Sequence, residues 1–148
     1  MTTAVGVSMD GVRVPLSRDR VGTIVRAVLR SEGVKSAMLS VTFVTSQDMR
    51  TLTRTHLRRN ATTDVIAFGL GRAGKTAPIL GDVYIAPEVA RASARDHGVT
   101  LREELARLIV HGTLHVLGYE HPDGAARTRS AMWRKQERLV ARLAANRQ

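Results

Sequence analysis

Three of the five histidines in this 148-residue chain fall within eleven consecutive residues. They are His111, His115 and His121, with H-x3-H-x5-H spacing. Positions i and i+4 of a helix lie one turn apart on the same face, so the first two imidazoles can face one ion. Gly118 predicts a left-handed turn after the helix, which would return the chain and bring in the third imidazole. Three histidines leave one open position on a tetrahedral zinc ion, which is typical of a catalytic site.

The chemistry of such a site depends on whether a proton acceptor accompanies the metal. Zinc lowers the pKa of its bound water to about 7, so a metal-bound water is the nucleophile that we expect. The histidine and glycine spacing matches that of zinc endopeptidases with the motif H-E-x-x-H-x-x-G-x-x-H. Position 112 is glycine instead of that motif's glutamate, so peptide hydrolysis would lack its general base. Histidine ligation also admits nickel or copper, and zinc is preferred on availability.

The net charge indicates the class of substrate. The formal charge is +10, from 23 lysines and arginines against 13 acidic residues, and this excess favours a polyanion such as nucleic acid. A phosphodiester also suits the site, because a metal and nearby cations stabilise its charged transition state while either the metal-bound hydroxide or the ribose 2′-hydroxyl attacks. Aromatic residues make up only 3% of the chain, too few for base-stacking platforms. We therefore expect contacts to the RNA backbone, made by one basic patch: Arg50, Arg54, Arg58 and Arg59.

Composition also excludes several classes of protein. The chain has no cysteine, which rules out disulfides, thiolate metal sites and cysteine nucleophiles. No apolar run approaches the length of a membrane span, and the first residues lack a signal segment, so we expect a cytoplasmic protein without a membrane partner. The length predicts one domain, 1–148, and the sequence predicts no particular oligomeric state.

Hydrophobic patterning predicts the elements that must position the histidines. Thr100 and Glu103 form a capping box at the start of the helix that carries the first two of them. Its apolar stripe continues past these histidines, so the helix should be buried and should hold its ligands rigidly. Around it we expect a hairpin or a tight turn at 4–14, a helix between Ser17 and Gly33 and a helix capped by Thr45 or Ser46. We also expect strands at 39–43, 63–70 and 80–86, a helix at 87–97 and a last helix at about 125–145.

One further motif, at residues 69–76, matches the phosphate-binding loop G-x-x-x-x-G-K-[ST] but is rejected. This loop binds nucleotides only when a helix starts at its lysine, because the helix N-terminus meets the phosphates. The residues after it include Pro78 and predict a strand instead. We interpret the segment as a flexible connection between two strands.

HGTLHVLGYEH (111–121), followed by MWRKQERLV (132–140), resembles the YbeY family of bacterial endoribonucleases, also called rRNA maturation factors. TDVIAF (63–68) and LGDVYIA (80–86) are similar to the family's two other blocks, so the resemblance covers the chain from about residue 39. It implies an α+β fold with a small mixed sheet, one zinc ion at the three histidines, and cleavage of single-stranded RNA. It also implies a role in small-subunit rRNA 3′-end processing and ribosome quality control, with the rRNA precursor and the small ribosomal subunit as partners.

Two positions depart from the family pattern. The residue before the third histidine is usually aspartate, and here it is Glu120, which would still supply a carboxylate in the second shell of the metal. The family also has an arginine, thought to serve catalysis, at the position that Leu57 occupies here. Arg58 and Arg59 are adjacent and are our hypothesis for its substitutes. Apart from the metal-bound water, the resemblance therefore carries no catalytic group over to this chain.

Together these observations predict a zinc-dependent, single-strand-specific endoribonuclease acting on rRNA precursors. The predicted fold class is α+β, a small mixed β-sheet of about four strands packed with about five helices, with the metal site on a central buried helix. Two alternatives stay open: a non-catalytic ribosome-assembly factor with a structural metal, and a metallohydrolase of another substrate. An exchangeable water on the metal favours the enzyme, and a fourth protein ligand favours the assembly factor.

Overall fold

The computed structural model describes residues 3–9, 11–57, 63–122 and 124–145. Its fold class is α+β, as predicted, with a four-stranded sheet and five α-helices. The strands are β1 (Thr3–Met9), β2 (Ala37–Phe43), β3 (Val65–Gly71) and β4 (Ile79–Ile85). The helices are α1 (Arg18–Ser31), α2 (Ser46–His56), α3 (Pro87–His97), α4 (Leu101–Val116) and α5 (Ala131–Ala145), with a short 3-10 helix, η1 (Gly124–Arg129), before the last.

The sheet is mixed, with the strand order β1-β2-β4-β3. Strands β1 and β2 are parallel, as are β2 and β4, whereas β3 pairs antiparallel with β4. The parallel pairs need crossover connections, which α1 and the segment from α2 to β3 supply. The glycine-rich segment 72–78 joins β3 to β4, and no helix begins at Lys75. The rejection of the phosphate-binding motif is therefore confirmed.

Helix α4 lies at the centre of the fold. It contacts helices α1, α3 and α5 and strands β3 and β4. Ten of its 16 residues are buried, including His111 near its C-terminal end. The apolar stripe that the sequence predicted therefore packs into the core beneath the sheet, and the prediction of a central buried helix is confirmed.

Helix α4 approaches strand β4 closely at Gly112. A Cβ atom at this position would lie 2.6 Å from Val83 Cγ1, which is shorter than real Cβ contacts. A side chain at Gly81, on the same strand, would likewise meet Val116. Glycine at these two positions lets the helix bearing the first two histidines lie directly on the sheet.

Capping residues set the helix ends where the sequence predicts them. The hydroxyl groups of Ser17, Thr45 and Thr100 accept hydrogen bonds from the backbone N–H groups of Arg20, Asp48 and Glu103. Helix α3 runs from Pro87 to His97 and ends at Gly98, which has φ 68°. Each cap satisfies a donor or acceptor that the helix end leaves open, which is why these boundaries can be read from sequence.

Two sequence-based expectations are wrong. The hairpin alternative for 4–14 is wrong, because β1 pairs parallel with β2 and the described residues after Gly11 continue to the cap of α1 without a second strand. The tight-turn alternative is compatible with the positive φ of Gly11, 71°. Pro15, which has no backbone N–H to donate, stands at the end of that segment. The last α-helix begins at Ala131 instead of about residue 125. The hydroxyl of Ser130 accepts a hydrogen bond from Trp133 N at 3.1 Å, so Ser130 caps the start of α5. The residues before Ser130 form the short helix η1 instead of the first turns of α5.

Within the described ranges, no helix combines the length and the apolar character needed to cross a membrane.

Candidate metal centre

The three histidines come from the end of one helix and the loop that follows it. His111 and His115 lie on the last two turns of α4. Gly118, with φ 103°, then turns the chain in a conformation that residues with a Cβ rarely adopt. Its N–H donates to His115 O at 2.9 Å, and Tyr119 N donates to Leu114 O at 3.0 Å. These two bonds form a Schellman motif, which brings the loop back over the helix end.

This turn brings the third imidazole to the other two. The ring centroids of His111 and His115 lie 4.6 Å apart, and that of His121 lies 5.1 and 5.0 Å from them. One ring nitrogen of each can be chosen so that the three lie within 4.8 Å of one another. The predicted group is therefore assembled, and it can hold a metal ion.

Each imidazole makes one hydrogen bond through Nδ1. The acceptors are Gln136 Oε1 at 2.6 Å for His111, Tyr119 O at 2.8 Å for His115 and Pro122 O at 3.1 Å for His121. A carbonyl oxygen can only accept, so each ring must carry its proton on Nδ1. The three Nε2 lone pairs are then free to bind an ion, which is the usual arrangement of histidine ligands with outer-shell acceptors.

Burial also keeps the imidazoles of His111 and His115 neutral. Burial lowers the pKa of His111 from 6.5 to about 4, against the opposing hydrogen bond to Gln136. Burial likewise lowers the pKa of His115. An imidazole protonated on both nitrogens cannot bind a metal, so the depressed pKa values leave these two ligands ready at neutral pH.

A chain of side chains behind His111 fixes the orientation of its ring. Gln136 receives the Nδ1 hydrogen bond and donates from Nε2 to Glu137 Oε2 at 3.0 Å. Glu137 in turn accepts two hydrogen bonds from Arg107, both at 2.9 Å. This bidentate ion pair joins α4 to α5 and determines which end of the Gln136 amide faces the imidazole. Sequence reasoning missed Gln136, although it lies in the MWRKQERLV block that carried the resemblance.

A second set of contacts holds the loop between the histidines. The Tyr119 hydroxyl donates to Glu32 Oε1 at 2.5 Å, and Lys135 Nζ donates to the other oxygen of Glu32 at 2.7 Å. Tyr119 is thus tied to α1 and α5, while its backbone oxygen accepts the hydrogen bond of His115. These contacts place the loop that carries His121.

The histidines line an open cleft of about 890 Å³ between the helix end and strand β3. Asp64 and Arg127, which sequence reasoning did not single out for the site, also line it. Burial raises the pKa of the Asp64 carboxyl, and the positive charge of Arg127 opposes that rise. Arg127 Nε is buried without a hydrogen-bond partner in the described part of the chain. The TDVIAF block pointed to Asp64, whereas nothing local in sequence pointed to Arg127.

The other predicted site residues have different positions. Arg50 and Arg54 are exposed on α2 and do not line the cleft, while Arg58 and Arg59 lie outside the described residues. Their role in RNA binding stays a prediction. Leu57 is 38% exposed and lines the cleft, so the position of the family arginine does face the histidines.

Glu120 is exposed and lines the same cleft. Its negative charge raises the pKa of His115, against the larger effect of burial. The Nδ1 acceptors described above are two backbone carbonyls and the Gln136 amide. A role for Glu120 in the second shell of the metal stays a prediction.

The packing around Gly112 is incompatible with the glutamate that zinc endopeptidases have after the first histidine of their motif. Gly112 is buried and faces Val83 on the sheet, on the side of α4 that packs against β4. A glutamate here would enter the core instead of the cleft. The site therefore differs from the H-E-x-x-H arrangement for a packing reason, as well as by its missing base.

Comparisons with known proteins show which family the chain resembles. The sequence model of a family described as "Endoribonuclease YbeY" matches residues 11–144. The chain is 37% identical over 107 residues to endoribonuclease YbeY of Aquifex aeolicus, covering 72% of this chain and 71% of that protein. It is 32% identical over 140 residues to the protein of that name from Geobacillus kaustophilus, covering 86% of this chain and 88% of that one.

A similar fold is found among solved structures. The solution structure of a Thermotoga maritima protein superposes with a TM-score of 0.62, covering 95% of this chain and 89% of that one. The two sequences are 20% identical, so the match supports the fold alone.

Proposed function

The chain belongs to the YbeY family of endoribonucleases, and from this premise we propose that it is a zinc-dependent endoribonuclease that cleaves single-stranded RNA. The observation that carries the proposal is the convergence of His111, His115 and His121 in a cleft that Arg127 also lines. The net charge of +10 supports a polyanionic substrate.

The donor set suits one zinc ion. Three neutral imidazoles with Nδ1 engaged offer three Nε2 atoms, and three-histidine ligation is typical of catalytic zinc. Such an ion supplies a Lewis acid and an activated water for hydrolysis of a phosphodiester. The open cleft leaves room for the RNA beside it.

The surrounding residues have separate tasks in this proposal. Arg127 contacts the scissile phosphate, because this residue lines the cleft and a guanidinium group binds phosphate oxygens well. Asp64 lines the same cleft and holds a proton more readily than an exposed aspartate, since burial raises its pKa. It can therefore accept or return a proton near the scissile bond. Arg50, Arg54, Arg58 and Arg59 extend the contact to neighbouring phosphates.

The biological role follows from the resemblance. We assign the enzyme to the cytoplasm, to 3′-end processing of small-subunit rRNA and to ribosome quality control, with the small ribosomal subunit as its partner. Glu120 belongs to the second shell of the metal in this proposal. Each of these assignments rests on family membership and on the charge of the chain.

The proposal is tested by cleavage of one RNA in single-stranded and duplex form. The zinc-loaded protein should cut the single strand, lose activity with a chelator and regain it with zinc. His115→Ala should abolish cleavage, and Arg127→Ala should lower it about ten- to hundredfold, the worth of a charge-assisted contact. Arg129→Ala, an exposed arginine on the same short helix, is the matched control and should cut normally. Cleavage that survives both the chelator and His115→Ala would refute the metal mechanism.

Leu57 favours a second candidate, a non-catalytic ribosome-assembly factor with a structural metal. It places an apolar side chain in the cleft at the position of the family arginine. This candidate predicts zinc binding and ribosome binding without RNA cleavage. RNA binding that does not weaken with added salt would instead favour a metallohydrolase of another substrate, because phosphate contacts release counterions.

A further inference from the structure

A second cavity opens beside the metal cleft. It has a volume of about 550 Å³ and is enclosed mainly by α3, α4 and α5. Asp64, His111 and Arg127 line both this cavity and the cleft, so the two spaces adjoin at these residues. A group attached to a phosphate in the cleft can therefore reach into the cavity.

One of the residues that line this cavity, Glu104, is buried and has an unpartnered carboxylate oxygen. Glu104 is only 3% exposed, and its Oε1 has no hydrogen-bond partner among the described residues. His97 Nδ1 and Arg107 Nη1 are both 3.7 Å from that oxygen, too far for hydrogen bonds. A buried polar atom without a partner is costly, and a ligand that donates an N–H group would relieve this cost.

The rest of the lining favours a flat ring over a phosphate. Trp133, which is partly buried, offers an aromatic surface, and Leu108 adds an apolar contact. Three carboxylates, those of Asp64, Glu104 and Glu137, also line the space and would oppose an anion. Arg107 is already paired with Glu137, and Arg127 lies where the cavity adjoins the cleft, so the phosphate belongs on the cleft side and the base in the cavity.

We propose that this cavity binds the base of a nucleotide next to the scissile phosphate, and that Glu104 makes it prefer bases with an exocyclic amino group over uracil. The inference rests on the proposed function and adds a specificity pocket to it. A carboxylate accepts hydrogen bonds from amino groups such as cytosine N4. Uracil presents a carbonyl oxygen at that position, and this oxygen would face the carboxylate unfavourably.

Trp133 makes the test direct, because it is the only tryptophan of the chain and it lines the cavity. Its fluorescence is recorded while the zinc-loaded protein is titrated with cytidine 3′-monophosphate and then with uridine 3′-monophosphate. We expect the cytidine nucleotide to change the emission and to bind about tenfold more tightly, the usual discrimination by one good base contact. Equal affinities, or no change in emission with either nucleotide at millimolar concentration, would overturn the proposal.

Glu104→Gln tests the assigned residue. The glutamine keeps the size of the side chain and adds an N–H donor for the uracil carbonyl, so the preference should disappear or reverse. Glu103→Gln makes the same change on the neighbouring residue, which does not line the cavity, and should keep the preference. A preference that persists in Glu104→Gln would show that another group selects the base. The wild-type comparison of the two nucleotides tests the pocket even if this variant does not fold.

Failure of the base-binding pocket can be distinguished from failure of the proposed endoribonuclease activity. Selective binding of the cytidine nucleotide by a protein that cuts no RNA would support the pocket and refute the endoribonuclease. RNA cleavage by a protein that binds both nucleotides equally would refute the pocket and leave the proposed function standing.

Discussion

The Nδ1 atom of His111 lies 2.6 Å from the side-chain oxygen of Gln136, although 25 residues separate them in the chain. Helix α5 thus orients a histidine on α4. The Arg107–Glu137 ion pair beside it joins the same two helices. The histidine group therefore depends on the packing of α5, even though its three members lie close together in sequence.

Replacing Gln136 should weaken metal binding. Gln136→Leu keeps a side chain of similar size in the buried position but removes the oxygen that accepts the His111 Nδ1 proton. We expect zinc affinity to fall about ten- to hundredfold, as is typical when an outer-shell partner of a ligand is lost. Competition with a chromophoric chelator measures this change. Arg138→Ala, an exposed change on the same helix, should leave the affinity as it is. Unchanged affinity in Gln136→Leu would mean that α5 does not orient the ligand.

The metal-free protein should lose stability below neutral pH because of His111. The pKa of His111 is about 4 in the folded protein, against 6.5 for an ordinary histidine such as that of the unfolded chain. Between pH 4 and pH 6.5 the unfolded state therefore binds more protons than the folded state. Stability therefore falls as the pH drops from about 6.5 towards 4, by up to about 3 kcal/mol from this group. Urea unfolding of chelator-treated protein at pH 7.5 and 5 measures the change.

His111→Gln supplies the control for this pH effect. It removes the titrating group but leaves the carboxyls of Asp64 and Glu104, whose raised pKa values act in the opposite direction. The variant should therefore lose less stability than the wild type between the two pH values. Equal losses would show that His111 does not carry the effect.

A side chain at position 112 should destabilise the fold. Gly112→Ala places a Cβ 2.6 Å from Val83 Cγ1 on a central strand, where the backbone has little freedom to move. Overpacking of this kind costs about 1–3 kcal/mol, against a gain in helix propensity of up to about 1 kcal/mol. Urea unfolding should show a net loss. Adding Val83→Ala should recover part of it, so that the double variant is more stable than the sum of the single changes. Additive losses would contradict a direct clash.

Leu57→Arg should increase RNA cleavage. The position lines the metal cleft, so an arginine there can reach a phosphate bound beside the histidines. One charge-assisted contact is worth roughly 1.5–3 kcal/mol, which corresponds to about ten- to hundredfold in rate. Leu70→Arg adds the same charge at an exposed position that does not line the cleft, and it controls for a general effect of charge. Similar cleavage rates for both variants would mean that any increase comes from the added positive charge in general, and not from an arginine in the cleft.

The parts of the molecule that the sequence predicted are those that local chemistry determines. Helix ends follow from caps such as Ser17 and Gly98, because each cap bonds within a few residues. The histidine group was predictable for the same reason, since one helix end and one glycine bring it together. The start of α5 was misplaced, because Ser130 caps it within a segment whose composition resembles that of a helix.

Long-range contacts explain what could not be predicted. The parallel pairing of β1 with β2 depends on α1 returning the chain, which alternation around Gly11 does not encode. Asp64 and Arg127 meet at the cleft from segments more than sixty residues apart in the numbering. The Gln136 contact likewise depends on how α5 packs on α4. Neither charge nor periodicity distinguishes these residues from others of their type.

The unequal anchoring of the three histidines has a consequence for ion exchange. The core holds His111 and His115 in place through α4, whereas His121 lies on the loop after Gly118 and donates to the backbone oxygen of the neighbouring Pro122. An ion bound here would therefore fix the His121 side chain, while the hydrophobic core and the loop that Tyr119 anchors are already in place without it. We therefore expect that an ion could leave and rebind without unfolding of the protein, unlike in small domains whose folding requires zinc.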